Sequence, residues 1–389
     1  GVCGGCKWQN MSYEAQLHFK QKEISDNLKK FSGMIIPEID EIHAAPKPYF
    51  YRNKMEYAFS DQRWLTSEEI ANKSLPIEKK GLGFHKAGMW DKVVDIQQCH
   101  LQPEPANEIR NAIKTFALEH GLDFFNPREQ MGFLRSLMIR NSSSGEIMVL
   151  IQFFKENKAQ REALLEHLKK HFDITSLLYC INSKANDTLY DQEIICYDGK
   201  TFIMEEMEGL NFKINAKSFF QTNTEQAYEL YKITRDFAGL KGKELVYDLY
   251  TGTGTIAQFI AKDCNRVVGV ESVPEAIEAA NTNAKENGIK NAFFEVGDMR
   301  RVFNQDFINR HGKADVVIAD PPRNGMHPAV VKQLLFLQPE KIVYVSCNPS
   351  PQARDLFLMK DHYKLVRSKA IDLFPQTQHV ENVVLLEKI

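Results

Sequence analysis

The chain has 389 residues, 43% of them hydrophobic, and a net charge of −2 at pH 7. That length points to two or three domains, and that composition to a globular protein able to bury real cores. No run of about 18 apolar residues is present, which excludes a membrane-spanning helix. A nearly neutral chain also carries no global nucleic-acid signature, so any such surface must be a local basic patch.

Seven cysteines are an odd count and a modest density for this length. They point to reduced, metal-bound or catalytic thiols in a cytoplasmic protein rather than to a disulfide framework. The opening Gly1-Val2-Cys3 has none of the features of a signal peptide and reads as the start of a fragment.

In chain order, residues 51–60 and 81–96 read as strands broken by turns. Residues 133–140 and 146–153 flank Asn141-Ser-Ser-Ser-Gly145, a turn-forming cluster that predicts a hairpin. Helical spacing follows over 155–172. This first part, residues 1–215, is expected to be an α+β domain. From residue 216 to 389 the rhythm changes. Apolar strand-like runs at 244–250, 266–271, 291–296, 315–319 and 341–345 alternate with helical stretches, one of which opens on Pro274. Near-continuous apolar strands are buried on both faces, so this half is expected to be α/β with a parallel sheet covered by helices. Two successive strand-like runs, 363–374 and 380–386, suggest an antiparallel finish.

Asp248-Leu-Tyr-Thr-Gly-Thr-Gly-Thr255 follows the first of these strands and opens a helix. Gly252 and Gly254 permit a tight turn and a close approach of backbone to a ligand. Alone, the loop would equally fit a dinucleotide enzyme or a plain structural turn. Glu271 ends the second strand, where a carboxylate can accept hydrogen bonds from both ribose hydroxyls. Gly297-Asp298 ends the third and would reach an adenine. The three features in this order point to S-adenosyl-L-methionine.

Asp320-Pro-Pro-Arg-Asn-Gly325 follows the fourth strand, on the edge where open α/β sheets bind ligands. It would serve an amino-group methyltransferase as well, as a rigid wall for a planar base. Val345-Ser-Cys-Asn-Pro349 then places Cys347 at the end of the fifth strand. An amino nitrogen needs no covalent help. Carbon 5 of uracil does, because it is a poor nucleophile until a thiolate adds at carbon 6. After methyl transfer a base must remove the hydrogen from carbon 5. His379-Val-Glu381 offers two candidates on one face of a strand, with Glu381 favoured as the base and His379 supporting it or lying near the substrate. Cys180, Cys196 and Cys264 read as small buried hydrophobes.

These residues resemble the RNA 5-methyluridine methyltransferases that act on tRNA or large-subunit ribosomal RNA. The resemblance runs nearly end to end. It is carried by Phe220-Gln221, Asp248-Leu-Tyr-Thr-Gly-Thr-Gly, Asp320-Pro-Pro-Arg, Ser346-Cys-Asn-Pro and His379-Val-Glu381. It implies a Rossmann-like S-adenosylmethionine-dependent methyltransferase domain, preceded by an α+β RNA-recognition domain. It also implies that Gln221, Tyr250, Thr255, Glu271, Asp298 and Asp320 line the cofactor site, with Cys347 the nucleophile and Glu381 the base. Tyr250 and Thr255 stand where related proteins carry Phe or Asn.

Cys3-Gly-Gly-Cys6 is similar to the family's motif for a 4Fe-4S cluster, and Cys99 in Gln97-Gln-Cys-His-Leu101 matches its distant ligand. The family pattern has one more cysteine before Cys3, so a zinc site or free thiols are the alternatives. By fold-level analogy the motif favours 23S rRNA over tRNA as the target. A uracil in folded RNA must be flipped out or already unpaired to reach Cys347. Tyr51-Arg-Asn-Lys54, Lys79-Lys80, His85-Lys86 and Arg135 mix cationic and aromatic groups suited to phosphates and bases. Solvated surface charge is the competing reading of each, and Arg52 is the RNA contact selected.

Overall fold

The computed structural model describes residues 2–72 and 77–389. They cluster into two compact units. One comprises Gly1–Lys7, Tyr49–Glu205 and Lys213–Ser218, the other Trp8–Pro48, Glu206–Phe212 and Phe219–Ile389. The expected division at 215/216 therefore needs correction at the N-terminus. Helix α1 (Tyr13–Phe31) and strand β1 (Asp40–His43) belong to the second unit, because β1 pairs in parallel with β16 (Tyr363–Ile371).

The first unit holds β2 (Lys54–Ser60), α2 (Ser67–Ala71), β3 (Gly81–Lys86), β4 (Met89–Asp95) and α3 (Ala106–Glu119). It continues with β5 (Leu134–Asn141), β6 (Ile147–Phe153), α4 (Lys158–His171), β7 (Ser176–Ile181) and β8 (Ile195–Gly199). The seven strands form one sheet in the order β4-β3-β2-β5-β6-β7-β8. Its pairs are antiparallel except β6–β7, which the α4 crossover makes parallel. The expected hairpin is β5–β6, closed where the Ser142 hydroxyl accepts from the Glu146 N–H. Every residue of β6 is buried, the mark of a strand covered on both faces. A short pair, β9 (Phe202–Met207) and β10 (Leu210–Asn215), follows.

The second unit continues with α5 (Thr224–Ala238), β11 (Leu245–Leu249), α6 (Thr255–Ile260), β12 (Arg266–Glu271), α7 (Pro274–Glu286) and β13 (Ala292–Val296). Then come α8 (Gln305–His311), β14 (Val316–Ala319), α9 (Pro328–Leu337), β15 (Lys341–Ser346), α10 (Pro349–Met359), β16 and β17 (Glu381–Lys388). The eight-stranded sheet has the order β1-β16-β17-β15-β14-β11-β12-β13. All pairs are parallel except β15–β17 and β16–β17, the antiparallel finish the sequence suggested. Strand β14 is buried throughout, and β11 and β15 all but their first residues. Each such Val or Ile contributes roughly 1.5–3 kcal/mol. Strand order reverses at β11, with β12 and β13 on one side and β14 and β15 on the other. In an open α/β sheet that reversal opens a crevice at the carboxyl ends of the strands.

Candidate active site

Five strand ends and one strand start meet along that edge. After β11 the backbone turns through three residues of positive φ, Tyr250 (61°), Gly252 (55°) and Gly254 (75°). Tyrosine tolerates this conformation poorly, so its presence marks a loop held by its surroundings. Gly252 faces open space, with no atom within 4 Å of where a Cβ would stand. Gly254 is pressed against Phe294, whose ring would lie 2.6 Å from a Cβ. One glycine leaves room for a ligand and the other for close packing of helix on sheet.

Glu271 ends β12. Its Oε2 accepts from the Gly252 N–H at 3.3 Å, and its Oε1 from the Ser272 and Val273 N–H groups at 2.7 and 3.1 Å. The carboxylate thus fixes both the glycine loop and the start of α7; Oε1 also accepts from the Ser272 hydroxyl, so Oε2 is the oxygen that keeps acceptor capacity for a ribose hydroxyl. Asp298 is differently placed. Arg300 grips it through Nε and Nη2 at 3.0 and 2.8 Å, which holds its carboxyl down at about 2. A carboxylate so paired has less to offer an adenine than the sequence implied. Thr255 is buried with its hydroxyl 3.4 Å from that of Thr253. Gln221 is half-buried just before α5, beside buried Phe220.

Asp248 is buried at the end of β11 and accepts from the Thr251 hydroxyl. Burial lifts its carboxyl to about 7 against that hydrogen bond. Asp320 follows β14, and burial, reinforced by Asp248, lifts it to about 7 as well. The Asp320-Pro-Pro-Arg loop is anchored from behind, where buried Asp355 accepts from the Met326 N–H at 2.7 Å and the Tyr344 hydroxyl at 2.8 Å.

In β15 and β17, Ser346 pairs with Asn382. Extending that antiparallel register by one residue sets Cys347 opposite Glu381. Buried amides lock the register: Gln352 Nε2 donates to the Tyr344 and Asn382 carbonyls, and Asn382 Nδ2 returns a bond to Gln352 Oε1 at 2.8 Å. The Ser346 hydroxyl and the Asn348 cap of α10 shape the turn that carries Cys347. The thiol is half-buried. Burial pushes it up to about 11, with Glu381 and Asp320 adding to the rise and Arg323 opposing it. Glu381 is buried, and burial followed by Asp320 raises its carboxyl to about 8. Strand β17 begins at Glu381, so the same-face argument does not extend to His379. His379 lies on the preceding loop, its Nδ1 accepting from Arg323 Nη2 at 3.1 Å. Arg323 was quoted in its motif but not singled out. Its arginine-after-proline position was the available signal.

The donor set fits S-adenosylmethionine: an open space over Gly252, the Glu271 carboxylate beside it, and buried carboxylates suited to a cationic ligand. In the first unit, burial raises the Cys6 thiol to about 11, with Cys3 and Cys99 adding to the rise and Arg52 opposing it. The three thiols are therefore neighbours. Among the described residues, however, no group of three or more Cys, His, Asp or Glu is arranged to hold a metal ion. Cys3, Cys6 and Cys99 supply three of the four thiolates that a 4Fe-4S cluster takes.

Arg52 is half-buried, its Nε donating to the Lys54 carbonyl at 3.4 Å. Arg135 is not the surface cation the sequence suggested. It is buried, donates to the Asn182 and Lys184 carbonyls at 2.7 and 2.6 Å, and lies over Phe125. Lys80 and Lys86 are spent on the Leu122 and Val2 carbonyls. Cys180 and Cys264 are buried as expected, whereas Cys196 is half-exposed on β8.

Residues 139–389 match the model of the tRNA (uracil-5-)-methyltransferase family. The chain belongs to that family. Among its relatives is an uncharacterized RNA methyltransferase of Bacteroides thetaiotaomicron, 52% identical over 100% of this chain and 86% of the relative. One of Porphyromonas gingivalis is 53% identical over 99% and 84%. Among solved structures, the tRNA (uracil-54, C5)-methyltransferase of Pyrococcus abyssi, in complex with S-adenosyl-L-homocysteine, is 32% identical. It superposes with a TM-score of 0.79 over 99% of this chain and 86% of that one. The chain is accordingly an RNA methyltransferase, and no helix among its described residues is long and apolar enough to cross a membrane.

Proposed function

We propose that the protein methylates carbon 5 of a uracil in RNA with S-adenosylmethionine, through a covalent adduct on Cys347 that Glu381 resolves. The observation that carries this reading is the register that sets Cys347 opposite Glu381, at the end of the sheet where the glycine loop opens. Gln221, Tyr250, Gly252, Gly254, Thr255, Glu271 and Asp320 would hold the cofactor, Asp298 less directly because Arg300 occupies it. S-adenosylmethionine supplies an electrophilic methyl group, whose departure leaves a neutral thioether.

The thiolate of Cys347 forms a bond from Sγ to uracil carbon 6. The displaced π electrons move toward carbon 5 and the 4-carbonyl, so that carbon 5 becomes nucleophilic and takes the methyl group. Glu381 then removes the hydrogen from carbon 5 as a proton. The electron pair left behind re-forms the double bond between carbons 5 and 6 and expels the thiolate. Arg323 favours the thiolate at both ends of the sequence. A carboxyl raised to about 8 is a strong base once ionised, suited to a weakly acidic carbon.

RNA containing 5-fluorouridine tests this, because fluorine does not leave as a proton does. The intact enzyme should be trapped as a denaturation-resistant adduct, and Cys347→Ala should form none and lose turnover by about 10⁴-fold or more. Activity retained by Cys347→Ala would instead identify an amino-group methyltransferase. By fold-level analogy the cysteine motif favours 23S rRNA as the target, with Arg52 on a phosphate. Arg52→Ala should then weaken RNA binding and reduce its salt dependence by about one phosphate contact; an unchanged salt slope removes Arg52 from the interface. The tRNA reading rests on the Pyrococcus abyssi likeness. Mapping 5-methyluridine in both RNA classes, with and without the gene, separates the two.

A further inference from the structure

We propose that Gln16 and Lys20 of α1 are positioning residues for the proton-removal step, acting through the loop that leads into Glu381. This rests on Glu381 being the base. Residues 372–380 join β16 to β17 without regular structure, yet six of the nine are buried. Such a segment must find partners for its backbone groups, and here side chains of α1 supply two of them, at the Gln376 N–H and the Phe374 carbonyl.

Gln16 makes a reciprocal pair with the turn. Its Oε1 accepts from the Gln376 N–H at 2.8 Å, and its Nε2 donates to Gln376 Oε1 at 3.1 Å. The same Nε2 reaches the carbonyls of Trp8 and Met11, and the Trp8 N–H donates to the Gln376 carbonyl at 3.0 Å. Lys20 donates to Asp372 Oδ1 at 2.6 Å and to the Phe374 carbonyl at 3.1 Å, and both side chains of this ion pair are 0% exposed. Helix α5 holds the other side. Asn223 and Gln226 donate to the Leu373 and Asp372 carbonyls, each at 2.8 Å.

Gln376 needs this grip. Its φ is +69°, a conformation that costs a non-glycine residue and persists only when surroundings impose it. Gln16 binds that residue on both its amide and its side chain. Downstream of this turn, the Thr377 hydroxyl accepts from the His379 N–H and His379 accepts from Arg323, two residues before Glu381. A turn allowed to relax at Gln376 moves the start of β17 relative to Cys347, whose own strand is fixed independently by Gln352 and Asn382.

The test uses two rates on the full chain. Capture by 5-fluorouridine RNA reports attack and methyl transfer without proton removal, whereas turnover on uridine RNA requires all three. Gln16→Met should lower turnover by about 10- to 100-fold, leave the capture rate within about twofold and leave KM for RNA unchanged. Gln376→Gly, which accepts positive φ without strain, should restore part of the turnover in the Gln16→Met background. Capture and turnover falling together, with loss of folded protein by circular dichroism, would overturn the proposal, as would unchanged turnover. Glu381→Gln is the reference. Should it fail to separate the two rates, the assignment of the base fails; should it separate them while Gln16→Met does not, only the positioning role fails.

Discussion

Replacing Glu381 by Gln should make the protein more stable and much less active, with a pH signature that identifies the cause. The Glu381 carboxyl rises from an ordinary 4.5 to about 8, first through burial and then through Asp320. At ~1.36 kcal/mol per pH unit, that difference sets a ceiling of roughly 5 kcal/mol on the destabilisation caused by ionising it. Asp320 shares the repulsion, so about 2 kcal/mol is the expected part removed by one substitution, or a Tm gain of roughly 4–8 °C at pH 8.5. The sign follows from the direction of the rise. The folded chain holds this proton more tightly than the unfolded chain, so the stability contributed is fully present below pH 4.5 and lost as pH climbs through about 8. Glutamine does not titrate. The gain should be absent near pH 4.5 and complete above pH 8. Thermal melts of both proteins across that range, read by circular dichroism, are the assay. Turnover should fall about 10²- to 10⁴-fold, with methylated RNA left bound to Cys347. Parallel Tm curves for the two proteins would refute the reasoning, because Glu381 would then titrate as an ordinary solvated acid.

The buried ion pair gives a prediction of opposite sign: Lys20→Met leaves Asp372 charged and without its cation, and urea unfolding should show a loss of about 3–5 kcal/mol. The two loop glycines should separate ligand binding from stability. A Cβ at Gly252 meets nothing, so Gly252→Ala should cost about 1 kcal/mol of stability for its positive φ while weakening S-adenosylmethionine binding at least about tenfold by calorimetry. A Cβ at Gly254 meets Phe294 and Ala280, so Gly254→Ala should cost about 2 kcal/mol or more before any ligand is added. Equal affinities for the Gly252 variant and the parent would place the cofactor elsewhere.

Much of the sheet was legible because its strands declare themselves. Residues 315–319 and 341–345 are near-continuous apolar runs rich in Val and Ile, and such runs become β14 and β15, buried on both faces. The strand-end positions of the glycine loop, Glu271 and Cys347 were legible for a related reason, since residues at strand ends are ordered by the chain itself. What escaped was whatever depends on distant partners. Strand β1 has three half-exposed residues and one exposed, and its ends Asp40 and His43 pair with Lys369 and Ile371, more than 300 positions away. Helix α1 buries Gln16 and Lys20 on its inner face, so its pattern does not mark it as a core helix. Arg135 looks like a surface cation by residue type alone and is interior because two carbonyls and an aromatic ring receive it. Asp298 was placed on the right strand end, but its pairing with Arg300 depends on a side-chain geometry that spacing does not reveal.

Strand β17 lies between β15 and β16 in the sheet but follows both in the chain. During synthesis the two flanking strands must therefore wait with open hydrogen-bonding edges until the last strand arrives between them. The same order applies in reverse when the molecule loosens. A form that has shed β17 would keep the glycine loop, Glu271 and the parallel core on which they stand, and would lose Glu381 together with one wall around Cys347. Ligand affinity and activity should thus part company early in unfolding, and methyl-donor binding alone is a poor measure of how much of this protein is competent.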